Sequence, residues 1–266
     1  MKLSKGELRY CRSLSQKKVR QAERKFILEG WRALKELLNS ATKVELVAVH
    51  PRFLQDPDYG KLLSELETRG IPVREADEIQ LHQIADTVHA QGVVAVVQQK
   101  HDDLERISLE RASIIVAVDA VSDPGNLGSI IRSSDWFNVD ALLLGRGCVE
   151  LYNEKVVRST VGSIFHVPIV EGVELPSALK HMGSKGFALV GFSGDGKADY
   201  TERRLSRKEV FVFGSEAHGI SREVKISIDE VLRIPRYGKA ESLNVGVACG
   251  IALAHHRARQ VQRKGT

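Results

Sequence analysis

Apolar and polar positions divide the chain into two successive α/β patterns. In the first, Val19, Phe26, Ile27, Trp31, Leu34, Leu37 and Leu38 recur at helical spacing and predict one amphipathic helix within residues 16–39. KVELVAVH (43–50) and GVVAVVQQ (92–99) are rich in β-branched residues and read as strands, the second one buried. Residues 58–69 predict a helix that Gly70 ends and Pro72 follows, and residues 77–85 predict a shorter one. These elements make a small α/β unit over residues 1–100. The next stretch, KHDDLERISLERAS, is polar and carries no apolar stripe, so residues 101–112 are expected to form a linker.

The second pattern, over residues 113–266, alternates strands with helices. Strands are expected at 114–119, 140–144, 165–170, 187–193, 210–213 and 230–234, with helices at 127–137, 153–161, 175–182 and 242–262. Such alternation implies a parallel sheet. No internal repeat interrupts it.

Composition narrows the class without deciding the function. At 42% hydrophobic and 27% charged residues, the 266-residue chain is an ordinary globular protein. No apolar run approaches a membrane span. The segment MKLSKGELRYCRSLSQKK has no apolar stretch, which argues against a secretory signal. It is basic and Ser-rich like a mitochondrial presequence, but it reads as part of the first unit. Cys11, Cys148 and Cys249 have no metal-ligand spacing and suit incidental thiols in a reducing, cytoplasmic setting.

The net charge of +5 is unevenly spread. Residues 1–25 hold Lys2, Lys5, Arg9, Arg12, Lys17, Lys18, Arg20, Arg24 and Lys25 against Glu7 and Glu23. Arg203, Arg204, Arg207 and Lys208 form a second cluster, and His255, His256, Arg257, Arg259, Arg263 and Lys264 a third. Basic arms and loops of this kind are the footprint of a polyanion such as RNA, or else a solvated face. Aromatics are only 6% of the chain, so no stacking platform for single strands is evident.

Candidate chemistry concentrates in three loops that follow strands of the second unit. The strand SIIVAVDAV runs into DPGNLGSIIRSSDWF (123–137), where Pro124–Gly125 signals a turn and Asn126 and Gly128 lie where it enters a helix bearing Arg132. FVFGSEAHGIS (211–221) ends a strand at Gly214, where the missing side chain would let a ligand approach; Glu216 sits on the exposed turn and Gly219 permits positive φ. No role is assigned to His218. In LRIPRYGKAESLNVGVACGIALA (232–254), Ser242 reads as the N-cap of the last helix, with Leu243 and Asn244 in its first turn. Gly246, Ala248 and Gly250 keep that helix thin for close packing. Loops at the carboxyl ends of parallel strands are where open α/β sheets bind ligands. A dinucleotide fingerprint is absent.

Taken in order, the three segments resemble the motifs of the SpoU (TrmH-like) RNA 2′-O-ribose methyltransferases of the SPOUT superfamily. N-x-G-x-x-x-R is met by Asn126, Gly128 and Arg132; G-x-E-x-x-G by Gly214, Glu216 and Gly219; I-P-x-x-G-x-x-x-S-L-N-V by Ile234, Pro235, Gly238, Ser242, Leu243, Asn244 and Val245. Upstream, KKVRQAERKFILEGWRALKELL and ADTVHAQGVVAVV are similar to the family's substrate-binding domain, itself like kink-turn-binding ribosomal proteins. Ser133 and Ser134 stand where Ala or Thr is frequent, and Gly246 where Ser is common.

The resemblance implies a C-terminal SPOUT α/β domain with a parallel sheet and a deep trefoil knot, after a smaller α/β RNA-binding domain. It implies S-adenosyl-L-methionine as cofactor, methyl transfer to a ribose 2′-hydroxyl, a homodimer, large-subunit rRNA as the favoured target, and no metal. Gly214, Ile234 and Leu243 would contact the cofactor largely through backbone, Glu216, Gly238 and Asn244 would shape its pocket, and Ser215 would join the cofactor-binding set. Asn126, Arg132, Glu216 and Ser242 would be the catalytic set, with Arg132 stabilising charge and serving the partner's site. Three alternatives stand beside it: a tRNA target, an RNA-binding relative without catalysis, and a nucleotide-dependent enzyme on a dinucleotide-binding sheet.

Overall fold

A computed structural model describes residues 1–85 and 91–264, with side chains as far as Gln262. The first hundred residues hold α1 (Lys5–Ser13), α2 (Lys17–Glu23), β1 (Lys25–Glu29), α3 (Trp31–Leu38), β2 (Val44–Val49), α4 (Pro57–Thr68), β3 (Val73–Glu75), α5 (Glu78–Ala85) and β4 (Val93–Gln98). There follow β5 (Ile114–Asp119), α6 (Pro124–Trp136), β6 (Ala141–Gly145), α7 (Glu154–Thr160), β7 (Ile169–Val173), α8 (Leu175–Ser184) and β8 (Ala188–Phe192). The chain closes with β9 (Ala198–Asp199), β10 (Glu209–Gly214), α9 (Arg222–Lys225), β11 (Glu230–Arg233) and α10 (Val245–Lys264). Two compact units result: Met1–Lys100 with Tyr152–Phe165, and His101–Leu151 with His166–Thr266.

The first unit is built on a four-stranded sheet ordered β1-β4-β2-β3. The helix expected within 16–39 is two helices flanking a strand. Arg24 adopts a left-handed φ of 52° and closes α2; Gly30, at φ 101°, redirects the chain into α3. Between them Phe26, Ile27, Leu28 and Glu29 are buried, and β1 pairs antiparallel with β4. A short apolar run such as FIL fits either period, and only the β4 partner decides it. α1 caps itself: Ser4 Oγ accepts from Glu7 N, and Glu7 Oε2 accepts from Ser4 N. Cys11 packs with Leu3 and Leu14 in this unit's core. Part of ADTVHAQGVVAVV, residues 86–90, lies outside the described residues.

The second unit is a seven-stranded sheet ordered β7-β6-β5-β10-β8-β11-β9, with every pairing parallel. Its centre is fully buried: Ile114 to Val118 and Val210 and Val212 are all inaccessible, as expected for a parallel strand covered on both faces. β7 begins four residues later than expected, because residues 163–165 form a 3-10 turn. Residues 101–112 pack as part of this unit: Ala112 is buried, and Leu104, Ile107 and Leu109 lie against its core. α10 presents Val245, Cys249, Ala252, Leu253 and His256 as one buried stripe.

Because β5, β10 and β11 run parallel, their carboxyl ends share one edge of the sheet. The loops after them, the three expected from sequence, therefore open on the same side.

Candidate active site

Three side chains tie these loops together. Asn126, in the first turn of α6, donates its Nδ2 to Glu216 Oε1 on the loop after β10. Asn244, at the start of α10, donates its Nδ2 to Asn126 Oδ1 at 2.7 Å. Asn244 Oδ1 in turn accepts from the backbone N–H groups of Gly246 (2.9 Å) and Val247 (3.2 Å). One residue from each motif thus enters one hydrogen-bonded cluster, although they are 90 and 118 positions apart in sequence.

Local structure places each of them. α6 starts at Pro124, not 127: Asp123 is its N-cap, accepting from Asn126 N at 2.8 Å, and Pro124 occupies a first-turn position where no N–H is needed. Asn126 is thereby held inside the first turn. Gly214 ends β10, but its missing Cβ serves the loop itself: an added methyl would lie 2.0 Å from the Gly219 carbonyl carbon and 2.2 Å from Ile220 N. That close return is fixed by Ser215 N to Gly219 O (3.0 Å) and Gly219 N to Ser215 O (2.8 Å), with Gly219 at φ 66°. Ser215 Oγ also accepts from His218 N. The space that a side chain at Gly214 would need is filled by the backbone of its own loop.

The expected cap of the last helix is corrected too. α10 begins at Val245, and Asn244, whose side chain takes the two free N–H groups, caps it; Ser242 and Leu243 lie before the helix and are exposed. α10 packs on α6 at its thin end: a Cβ on Gly246 would come within 2.9 Å of Ser129 Cβ. Residues 235–243 make no backbone–backbone hydrogen bond among the described residues. Apart from the Ala240 carbonyl, which accepts from Arg236 Nη1 at 3.3 Å, their donors and acceptors are open to a ligand. Within this stretch Gly238 faces open space and Leu243 is 48% exposed, while Ile234 beside it is half-buried.

Arg132 is not brought to the cluster. Six residues at about 100° each turn it roughly 120° around α6 from Asn126. It is exposed, and no hydrogen bond or ion pair engages it among the described residues. One turn on, Trp136 is 83% exposed, and Val247 of α10 is 49% exposed. Two residues that sequence reasoning gave no role also shape the site. Asp119, buried at the end of β5, accepts from Ser221 N at 2.7 Å and anchors the loop after β10; Asp123 caps α6. The Asp-Pro pair at 123–124 signals the second; nothing in the sequence separates Asp119 from the strand it ends.

Much of the basic charge proves structural. Arg20 is buried and donates to the carbonyls of Leu14 and Ser15. Lys25 pairs with Glu45 and Tyr10. Arg203 pairs with Glu209 and Glu230, and Lys208 donates to Leu109 O. Arg257 donates to the carbonyls of Phe137 and Asn138, and Arg259 to Thr201 O. Lys5, Arg9, Arg12, Lys17, Lys18 and Arg24 of the N-terminal arm stay exposed. Both acids of the arm are engaged: Glu7 by Arg74 and Ser4, Glu23 by Tyr10 and Lys25.

Burial pushes the Cys11 and Cys148 thiols up to about 11 and Cys249 higher still, so none is a thiolate nucleophile near neutral pH. Among the described residues no group of three or more His, Cys, Asp or Glu is placed to hold a metal ion. No helix among them is long and apolar enough to cross a membrane. A cleft of about 840 Å³ lined by Leu104, Ile107, Ser177, His181 and Lys208 lies away from the motif loops.

Comparison with known proteins agrees with this geometry. Residues 113–254 match the SpoU rRNA methylase family, and residues 27–102 match the RNA 2′-O ribose methyltransferase substrate-binding domain. The chain is 33% identical over 246 residues to the 23S rRNA (guanosine(2553)-2′-O)-methyltransferase RlmP of Bacillus subtilis (strain 168), covering 92% of this chain and 94% of that protein. It is 28% identical over 229 residues to the 23S rRNA (guanosine-2′-O-)-methyltransferase RlmB of Vibrio vulnificus, covering 84% and 93%. The AdoMet-bound rRNA methyltransferase of Sinorhizobium meliloti superposes with a TM-score of 0.85 at 28% identity, over 97% of each chain. With both units matched and the three motif loops joined at one edge of a parallel sheet, the chain belongs to the SpoU rRNA methylase family.

Proposed function

We propose that this protein transfers a methyl group from S-adenosylmethionine to a ribose 2′-hydroxyl of large-subunit rRNA. The observation that carries this reading is the cluster of Asn126, Glu216 and Asn244, one residue from each motif, at the carboxyl edge of the sheet. RlmP and RlmB, named for 2′-O-methylation of guanosine in 23S rRNA, support the target.

The residues present fit the cofactor. The backbone of 235–243, which makes no backbone–backbone hydrogen bond among the described residues, the open space at Gly238 and the apolar side chains of Ile234 and Leu243 offer hydrogen bonds and an apolar wall together. Gly214, Ser215, Ile234, Gly238, Leu243 and Asn244 would hold it. Bound there, S-adenosylmethionine supplies an electrophilic methyl on a sulfonium centre. Asn126 and Ser242 orient the ribose so that its 2′-oxygen is in line for displacement. A guanidinium, with a pKa above about 12, does not serve as base. Arg132 therefore stabilises the alkoxide that develops as the hydroxyl proton passes to solvent water.

Arg132 is exposed, about 120° around α6 from Asn126, which favours a homodimer in which it completes the partner's site. The exposed Trp136 and Val247 supply apolar surface for that contact. We read the C-terminal segment as knotted, the topology that the resemblance to the SPOUT superfamily implies. Residues 1–100 are read as the RNA-binding domain and 113–266 as the methyltransferase domain, acting in the cytoplasm, with the exposed arm of α1 and α2 contacting phosphates.

The test is transfer of labelled methyl from S-adenosylmethionine to unmodified rRNA and tRNA, followed by 2′-O-methyl mapping. Label on one large-subunit rRNA nucleotide, lost in Arg132→Ala, is the expected result. Label on tRNA alone would overturn the target, and cofactor binding without label on any RNA would overturn the activity.

A further inference from the structure

The hydrogen bonds among Asn126, Glu216 and Asn244 run in one direction, and both ends of the chain enforce it. At one end, the backbone N–H groups of Gly246 and Val247 can only donate, so the oxygen of Asn244 must face them. Its Nδ2 is left to donate to Asn126 Oδ1. Asn126 then has only its Nδ2 to offer Glu216, whose ionised carboxylate can only accept. Turning either amide over would set oxygen against oxygen.

We infer that Glu216 is a positioning residue: it fixes the amide of Asn126, and through it Asn244, in one orientation, and so holds the three motif loops in register. The inference rests on reading these loops as the methyl-transfer site. It differs from a general-base role in a measurable way. A base matters to the proton of the ribose, whereas an orienting carboxylate matters to cofactor binding before any RNA is present.

The polarity can be reversed without changing net charge. Asn244→Asp keeps the helix cap, since Asp and Asn cap about equally well. It also puts an acceptor toward Asn126, which must turn and present its oxygen to Glu216. Adding Glu216→Gln supplies a donor at that point, and the whole chain of bonds then runs backwards. S-adenosylmethionine affinity by calorimetry and the melting temperature of the ligand-free protein are measured for the wild type, both single variants and the double. Asn244→Asp is expected to weaken cofactor binding about tenfold or more, the scale of one charge-assisted hydrogen bond. Glu216→Gln weakens it less. The double variant recovers to well above the product of the two losses, and the melting temperatures follow the same non-additive pattern.

Additive losses in both measurements overturn the inference. So does a Glu216→Ala protein, measured alongside, that binds cofactor like the wild type, the result expected of a base. Coupled melting temperatures with cofactor affinity unchanged in all four proteins would uphold the relay and remove the site reading instead.

Discussion

The two ends of β10 carry two glutamates with opposite fates. Glu209, at the start, is fully buried; its Oε1 accepts from Ser206 N at 2.7 Å and pairs with Arg203, and its Oε2 meets His256 Nδ1 at 2.8 Å. Glu216, two residues past the end, is exposed and holds one amide of a polar cluster open to solvent. Burial alone would raise the Glu209 carboxyl, but the hydrogen bonds from His256, Arg203 and Ser206 outweigh it and hold it below the ordinary value. Glu209 thus ties α10 and the 200–208 loop to the central strand, while Glu216 ties loop to loop at the proposed site. One strand separates the stabilising pole of the unit from the working pole, so substitutions at the two ends should change different observables.

The largest contrast is in stability. Glu209→Ala leaves Arg203 and His256 facing an empty site and should cost about 3–5 kcal/mol in chemical denaturation. Glu216→Ala, exposed, should cost under about 1 kcal/mol. Equal losses would break the comparison. It also has a pH signature. The folded pKa of Glu209 lies below its ordinary 4.5, so its contribution is complete above that value and disappears as pH falls through the folded one. The stability gap between wild type and Glu209→Gln should be widest near neutral pH and narrow on acidification below about pH 4. A gap that widened there would refute the assignment.

Next in size is Arg132→Ala, expected to lower kcat by about 100-fold or more, the scale of one lost oxyanion contact. The melting temperature should not move. Arg132→Lys should also lose activity, because a point charge does not replace a forked guanidinium; retention of most activity across the pH–rate profile would argue against the forked contact. Gly214→Ala comes third. Its methyl would collide with the Gly219 backbone and should cost about 1–3 kcal/mol, with S-adenosylmethionine affinity lost as the loop shifts. The smallest effect belongs to the arm: Lys17→Gln with Lys18→Gln should reduce the slope of log affinity for RNA against log salt by roughly one to two, leaving kcat at saturating RNA unchanged.

The site was far more readable from the sequence than the arm was. Asn126, Glu216 and Asn244 stand beside glycines and a proline at turn positions, each weak alone; the order of the three segments, resembling the SpoU motifs, made them legible without a fold. Charge gave no such guidance. Arg203 and Arg204 are neighbours in the same basic run, yet Arg203 is spent on Glu209 and Glu230 while Arg204 is exposed. Residue type records a charge but not its partner, and Arg203, in a loop, finds its two partners at the starts of β10 and β11.

By itself, the sequence determined the alternation of strand and helix in the second unit, the three loops and the residues in them, because turn chemistry and hydrophobic period are local. Tertiary structure alone decided that Phe26–Glu29 is a strand, since its period is ambiguous until β4 supplies hydrogen bonds. It decided that Asn244 and not Ser242 caps α10, because that depends on which side chain reaches the free N–H groups of Gly246 and Val247. It also decided that Gly214 makes room for its own loop, and that three amide and carboxylate side chains from distant motifs point at one another. Each of these rests on non-local distances, which parallel pairing of β5, β10 and β11 creates and no short stretch of sequence encodes.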